Sequence, residues 1–373
     1  MQKTGLYVHV PFCRSRCAYC DFYSTAGQEQ QATAFVAAAV NEMRARRGEL
    51  QGEVATIYVG GGTPSVLPAE ALSTLLEGAR TVFPIAHDAE VTVEVNPDDV
   101  CSALVGTLLN AGVNRVSMGV QTFDDALLRF LRRRHTGEAA VEAIGCLQRE
   151  GITNISADLI YGLPGQTAEA FRSDVRRLCA LPVTHLSAYA LSYEEGTTLS
   201  LWLRQGKVKE QSDEQLLEMY NLLMDEAKAA GFEHYEISNF ARAGRHSRHN
   251  SSYWQGIPYI GIGPGAHSYD GNRVRRANRP DLAAYIAAAG NPSYDEELLT
   301  PTTLYNEKLM TRLRTSEGLP LRLFTAEEQA FLQQMATPHI AAGTLSLADN
   351  RLRLTRKGLF VSDGVMSDLM KVD

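Results

Sequence analysis

Short runs of alternating apolar and polar residues, rich in β-branched side chains, recur through the first half of the chain. They predict strands at 6–10, 56–60, 90–95, 115–119, 154–159 and 184–190. Between them lie amphipathic or alanine-rich stretches that predict helices at 28–47, 69–82, 137–149 and 167–180. Gly112 and Gly151 each stand just past a periodic stretch and mark helix stops. Strands alternating with helices imply an α/β fold of parallel strands joined by right-handed crossovers. The spacing suits a doubly wound sheet and a barrel-like sheet equally.

After about Gly231 the rhythm changes. Residues 235–240 read as a short strand, and the run from Gly256 to Gly265 is too rich in Gly and Pro for a helix. Asn291-Pro292 begins a turn and suggests a boundary. Beyond it the pattern gives two helices, a β-hairpin and a last helix; the hairpin arms are 344–347 and 351–355, with Ala-Asp-Asn between them. The expected units are therefore 1–230, an extension 231–292 and a small C-terminal domain 293–373.

Composition narrows the class. With 373 residues, 45% hydrophobic and 21% charged, the chain has the balance of a globular protein. No apolar run approaches the roughly 20 residues of a membrane span, and the first residues lack a signal-peptide core. Three of six cysteines are clustered and three (Cys101, Cys146, Cys179) are scattered, which is unlike a disulfide framework and points to a reducing, cytoplasmic setting. Formal charge is −7, and no basic stripe runs along the chain, which excludes a general nucleic-acid binder.

The clustered cysteines carry the chemistry. Cys13, Cys17 and Cys20 fall within eight residues. A closed zinc site takes four ligands, whereas three thiolates at this spacing suit a [4Fe–4S] cube with one iron left open. Asp21 after Cys20 rules out the Cys-x-x-Cys-His motif of covalent c-type heme. The second strand ends in Gly60-Gly61-Gly62-Thr63, where side-chain-free backbone can approach a ligand closely. Later strand ends carry Glu94, Gln121 and Asp158, and carboxylates within apolar strands need a partner.

The cysteine motif, with Tyr7 before it and Tyr19 within it, resembles that of the radical S-adenosylmethionine (SAM) superfamily. Further motifs narrow the likeness to the branch holding the oxygen-independent coproporphyrinogen III oxidases and the HemW heme chaperones, over nearly the whole chain. The resemblance implies a partial (β/α)6 TIM-like barrel, with the site at the C-terminal rim of its strands, and a mainly helical, winged-helix-like C-terminal domain. Residues 295–373 hold 9 Lys/Arg against 11 Asp/Glu, so a capping or lid role is expected there rather than DNA binding. The resemblance also implies that Cys13, Cys17 and Cys20 hold the cluster. Tyr7, Tyr19, Gly61, Gly62, Thr63, Glu94, Gln121, Arg133 and Asp158 would contact SAM, with Arg132 and Arg134 left to solvent.

Two features separate the members of that branch. The oxidases have a further cysteine two residues after the third ligand, where this chain has Phe22, so decarboxylase activity is in doubt. His249-Asn-Ser-Ser-Tyr253-Trp254 matches the His-Asn-x-x-Tyr-Trp signature of the HemW-like group. His249 would be an axial heme ligand, with His246 and His267 as weaker candidates and the aromatic pair on the porphyrin face; a structural turn is the competing reading. Two functions follow. One is a heme chaperone that passes heme to an unidentified acceptor protein, with no nucleic acid and no membrane span but room for transient contact with membrane heme proteins. The other is a radical SAM oxidoreductase that abstracts a hydrogen atom from a substrate such as coproporphyrinogen III.

Overall fold

The computed structural model describes residues 3–50 and 52–372. Six strands run in parallel: β1 (Lys3–Val10), β2 (Glu53–Gly61), β3 (Ile85–Val95), β4 (Arg115–Gln121), β5 (Ile155–Tyr161) and β6 (His185–Ala190). Each lies beside the next in chain order. A doubly wound sheet would reverse direction partway, so the sequential order decides for a barrel-like sheet.

The alternation read from sequence sorts the two faces. Leu6, Val8, Ile57, Val59, Val91, Val93, Val116, Met118, Leu159 and Leu186 are buried on the outer face. There they pack with helices such as Ala32–Ala45, Ala69–Val82 and Gly137–Arg149 through Phe35, Leu72, Leu75 and Ile144. Each such side chain contributes roughly 1.5–3 kcal/mol on full burial. The inner face is polar along its whole length, with Tyr7, Tyr58, Thr92, Arg115, Ser156 and His185 in one layer and His9, Glu94, Ser117, Asp158 and Ser187 nearer the C-terminal ends.

The sheet continues past both sides of the barrel. β6 pairs antiparallel with β8 (Asn239–Ala241), which forms a hairpin with β7 (Glu233–Glu236). On the other side β9 (Tyr259–Ile262) joins β1 as a seventh parallel strand, inside the Gly/Pro-rich run. β10 (His267–Tyr269), β11 (Val274–Asn278) and β12 (Tyr294–Leu298) follow antiparallel. β12 lies beyond Pro292, so pairing of the large sheet crosses the boundary expected there.

The last part has its own core of Tyr305, Leu309, Leu313, Leu332, Leu352 and Leu369. It comprises helices Pro301–Leu313 and Ala326–Ala341, the hairpin Leu345–Ala348/Arg351–Leu354 and two short helices. Asp349 and Asn350, at φ +52° and +55°, make the two-residue turn that suits a hairpin. This unit docks where the parallel strands begin. Arg314 pairs with Glu236 at 3.1 Å and lies 3.9 Å from the Trp254 ring centroid, while Arg312 donates to the Gln255 carbonyl. It borders none of the cavity described next, so the expected lid over the site is corrected: its contacts hold it at the barrel's other end.

Candidate functional site

A cavity of about 410 Å³ opens at the C-terminal ends of the parallel strands. Its border includes Cys13, Cys17 and Cys20 from the loop after β1, Gly61 at the end of β2 with Gly62 and Thr63 just beyond it, and Glu94, Gln121 and Asp158 from β3, β4 and β5. Tyr19 and Arg133 complete it, so eleven of the twelve residues expected for cluster and SAM meet in one place, all but Tyr7; His249, expected for heme, also lies apart.

Local geometry explains the glycines. A Cβ on Gly60 would lie 2.8 Å from the Glu94 carboxyl carbon, and one on Gly62 would lie 2.6 Å from the Phe12 carbonyl oxygen. Gly61 has φ +106°, a conformation side chains resist, and its N–H donates to Glu94 Oε2 at 3.1 Å. Tyr58 donates to the other oxygen, Oε1, at 2.7 Å. Glu94 is thus aimed and held, yet burial pushes its carboxyl up to about 7, with neighbouring Asp158 adding to the rise. Burial likewise pushes Asp158 up to about 6. Two carboxylates that are costly to ionise at the floor of a cavity are suited to a cationic ligand, which would repay the cost by pairing.

Arg133 ties the cysteine loop to the strands. It donates to Asn96 Oδ1 at 2.8 Å and to the Gly119 carbonyl at 2.7 Å, and its Nη1 lies 3.5 Å from Cys17 Sγ. Its Nε is buried without a partner. Arg132, at φ +59°, places its guanidinium near the Trp202 ring, and Arg134 pairs with Asp98 and Asp99. Gln121 also takes a positive φ, +69°, where the β4–β5 register shifts, which turns its side chain toward the cavity rim. Asn96 was missed from sequence, although it follows β3 just as the other polar residues end their strands.

The three thiols are free, and the Thr63 hydroxyl donates to Cys13 Sγ at 3.4 Å. Among the described residues no three His, Cys, Asp or Glu side chains converge on a single metal ion. A larger cube spreads its ligands, and three thiols on one loop beside an open cavity fit that group better. Burial raises Cys13 and pushes Cys20 up to about 11, so loading the thiolates releases protons.

Two expected residues are elsewhere. Tyr7 does not border the cavity; its hydroxyl lies 3.0 Å from His9 Nδ1, while His9 Nε2 donates to the Tyr23 carbonyl. His249 sits at the opposite end of the barrel, in helix Arg248–Trp254, with 1% of its surface exposed. Its Nδ1 is 2.8 Å from Thr56 Oγ1 and its Nε2 2.8 Å from the Tyr253 hydroxyl. The ring stacks on Tyr58 at 5.1 Å, and burial pushes its pKa down to about 3. With both nitrogens engaged and no access, the axial-ligand role expected for His249 is corrected to a structural one. His246 stacks on Tyr235 and faces Glu233, and His267 is exposed on β10.

Comparisons agree with this architecture. Residues 7–178 match the Radical SAM superfamily and residues 299–361 the HemN C-terminal domain. The structure is similar to that of coproporphyrinogen III oxidase (HemN) from Escherichia coli, with a TM-score of 0.85 at 24% identity, covering 99% of this chain and 90% of that one; this likeness shows the fold. In sequence the chain is 37% identical to the heme chaperone HemW of Mycobacterium tuberculosis, over 99% of this chain and 95% of the relative. It is 33% identical to the heme chaperone HemW of Lactococcus lactis, over 100% and 99%. At such identity over full length, with the cysteine loop and strand-end residues gathered in one cavity, the chain belongs to the heme chaperone HemW family of the radical SAM superfamily.

Proposed function

We propose that this protein is a heme carrier that binds heme and hands it to an acceptor protein, using a [4Fe–4S] cluster and SAM. The full-length similarity to relatives named heme chaperones carries this reading. Cys13, Cys17 and Cys20 would hold the cluster; Glu94 and Asp158 would face the cationic groups of SAM; Arg133 would position the cysteine loop. When bound, the cluster supplies an electron and an open coordination position for SAM. The chain's own part is to exclude water from the floor, keep two carboxylates aimed at a cation and hold three thiols on one loop. No helix among the described residues is long and apolar enough to cross a membrane, and we assign the protein to the cytoplasm, where it could meet membrane heme proteins transiently.

A second reading, a radical SAM oxidoreductase acting on a porphyrinogen, draws on the cavity itself, which keeps its carboxylates and arginine. Against it stands Phe22, 62% exposed at the cavity rim where the oxidases have a cysteine. The test uses anaerobically reconstituted protein. Stoichiometric heme binding and transfer to an apo-acceptor, with no protoporphyrinogen formed from coproporphyrinogen III, SAM and reductant, is the expected result. Turnover without heme binding would reverse the assignment.

A further inference from the structure

His249 is closed off, so heme must bind elsewhere if the protein carries it. A second groove, of about 510 Å³, lies between helix Arg248–Trp254, strands β9 and β10, and helix Pro301–Leu313 of the C-terminal unit. Tyr253, Tyr259 and Tyr269 form one aromatic row along it, with centroids 4.6 Å and 6.5 Å apart. Arg275, Lys308 and Arg312 border it as cations, against the single carboxylate of Glu307, which pairs with Arg275 at 2.8 Å. Two positive charges are left over, matching the two propionates of a heme. Arg275 also buries an Nε without a partner.

Resting on the heme-carrier reading above, we propose that this groove is the heme seat. The macrocycle lies against the aromatic row, the propionates meet Lys308 and Arg312, and the Tyr269 oxygen ligates ferric iron. Tyr253 spends its hydroxyl on His249, and Tyr259 is more deeply set, whereas Tyr269 gives its hydroxyl only to the Asn272 carbonyl at 3.1 Å in an exposed turn. Burial and the carboxylates of Glu307 and Asp270 raise the pKa of the Tyr269 hydroxyl in the free protein, opposed by the Arg275 guanidinium 5.8 Å from its ring centroid, so it is the ferric ion that draws off the proton. Tyrosinate is an established class of heme ligand. On binding, the O–H bond breaks, an Fe–O bond forms, the proton leaves to solvent and the iron stays ferric. The His-Asn-x-x-Tyr-Trp motif then acts indirectly: His249 locks Tyr253, and with it one wall of the groove.

The test is a ferric heme titration of the cluster-loaded full chain, with cluster absorbance as the check on folding. Wild type should bind one heme with a tyrosinate charge-transfer band. Tyr269→Phe should lose that band, and the double variant Lys308→Glu/Arg312→Glu should bind at least about tenfold more weakly, both with the cluster intact. If wild type binds heme while both variants keep its affinity and spectrum, the groove is not the seat, although the carrier reading stands. If wild type binds no heme, the carrier reading itself falls and this proposal with it.

Discussion

The two ends of the barrel are both lined by buried polar side chains and behave in opposite ways. At the C-terminal ends of the strands, Glu94 and Asp158 are buried with their carboxyls raised, the thiols are unpaired and Arg133 keeps a free N–H. At the other end, His249 uses both ring nitrogens on neighbours and lies within a cluster of Tyr7, Tyr58 and Tyr253, stacked on Tyr58 and edge-on to Tyr253. The expected site residues at one end keep bonding capacity to spare, and His249 at the other has none. A motif residue is therefore a ligand or a lock according to whether its hydrogen bonds are already made.

The sharpest way to break this contrast is at the open end. Cys17→Ser should abolish the [4Fe–4S] absorbance and most of the bound iron after reconstitution, because two thiolates cannot hold the cube. Iron and sulfide analysis showing a full cluster in that variant would sink the ligand assignment.

At the closed end the effect should fall on stability instead. His249→Ala removes a buried ring and strands the partners of two hydrogen bonds, which should cost about 2–5 kcal/mol in chemical unfolding. The cluster should still form, and the axial signature of bound heme should persist at temperatures where the variant is folded. Acid adds a second readout. The folded pKa of His249 lies near 3, below its unfolded value of about 6.5, so the unfolded chain binds the extra proton between those values. Stability from this group is full above about pH 6.5 and falls with acidification toward 3, and the variant should lose that slope.

The same contrast explains what could be read in advance. The six barrel strands and the helices at Ala69–Val82 and Gly137–Arg149 were legible because one face of each is apolar throughout. Strand order was not, since periodicity sorts faces and says nothing about neighbours. β9 hid in a glycine-rich run because contacts made elsewhere demand those glycines: a Cβ on Gly261 would meet the His267 carbonyl oxygen at 2.0 Å, and Gly263 has φ +105° against the His9 carbonyl. β12 hid because it is exposed along its whole length and shows no alternation. At the site, the cysteines and strand-end carboxylates announced themselves by type and position. His249 did too, but only its partners Thr56 and Tyr253, distant or facing inward, reveal that it is spent.

A smaller effect at the open end concerns charge. Glu94 near 7 and Asp158 near 6 are raised in the free protein, so SAM should bind more tightly as pH rises from 6 to 8, as the carboxylates ionise. Glu94→Gln should weaken SAM by about tenfold at pH 8, near 1.4 kcal/mol, and flatten most of this rise. Calorimetric titration across that range decides it; an unchanged profile would mean that Glu94 does not face the cation.

The smallest change probes the residue that joins the two ends. Tyr58 stacks on His249 and donates to Glu94 Oε1, so it is both part of the plug and a support for the cavity floor. That hydrogen bond favours the ionised carboxylate and holds its pKa down against burial. Tyr58→Phe keeps the ring and its stacking but removes the donor, so Glu94 should become harder to ionise. The pH midpoint for SAM binding should then move upward by less than about one unit, with affinity at pH 7 down roughly threefold and unfolding free energy changed by no more than about 1 kcal/mol. A large loss of stability would mean that Tyr58 serves the plug more than the site. SAM affinity that falls as pH rises would show that Glu94 meets its ligand protonated, and the open end would then not be the cation seat that its geometry describes.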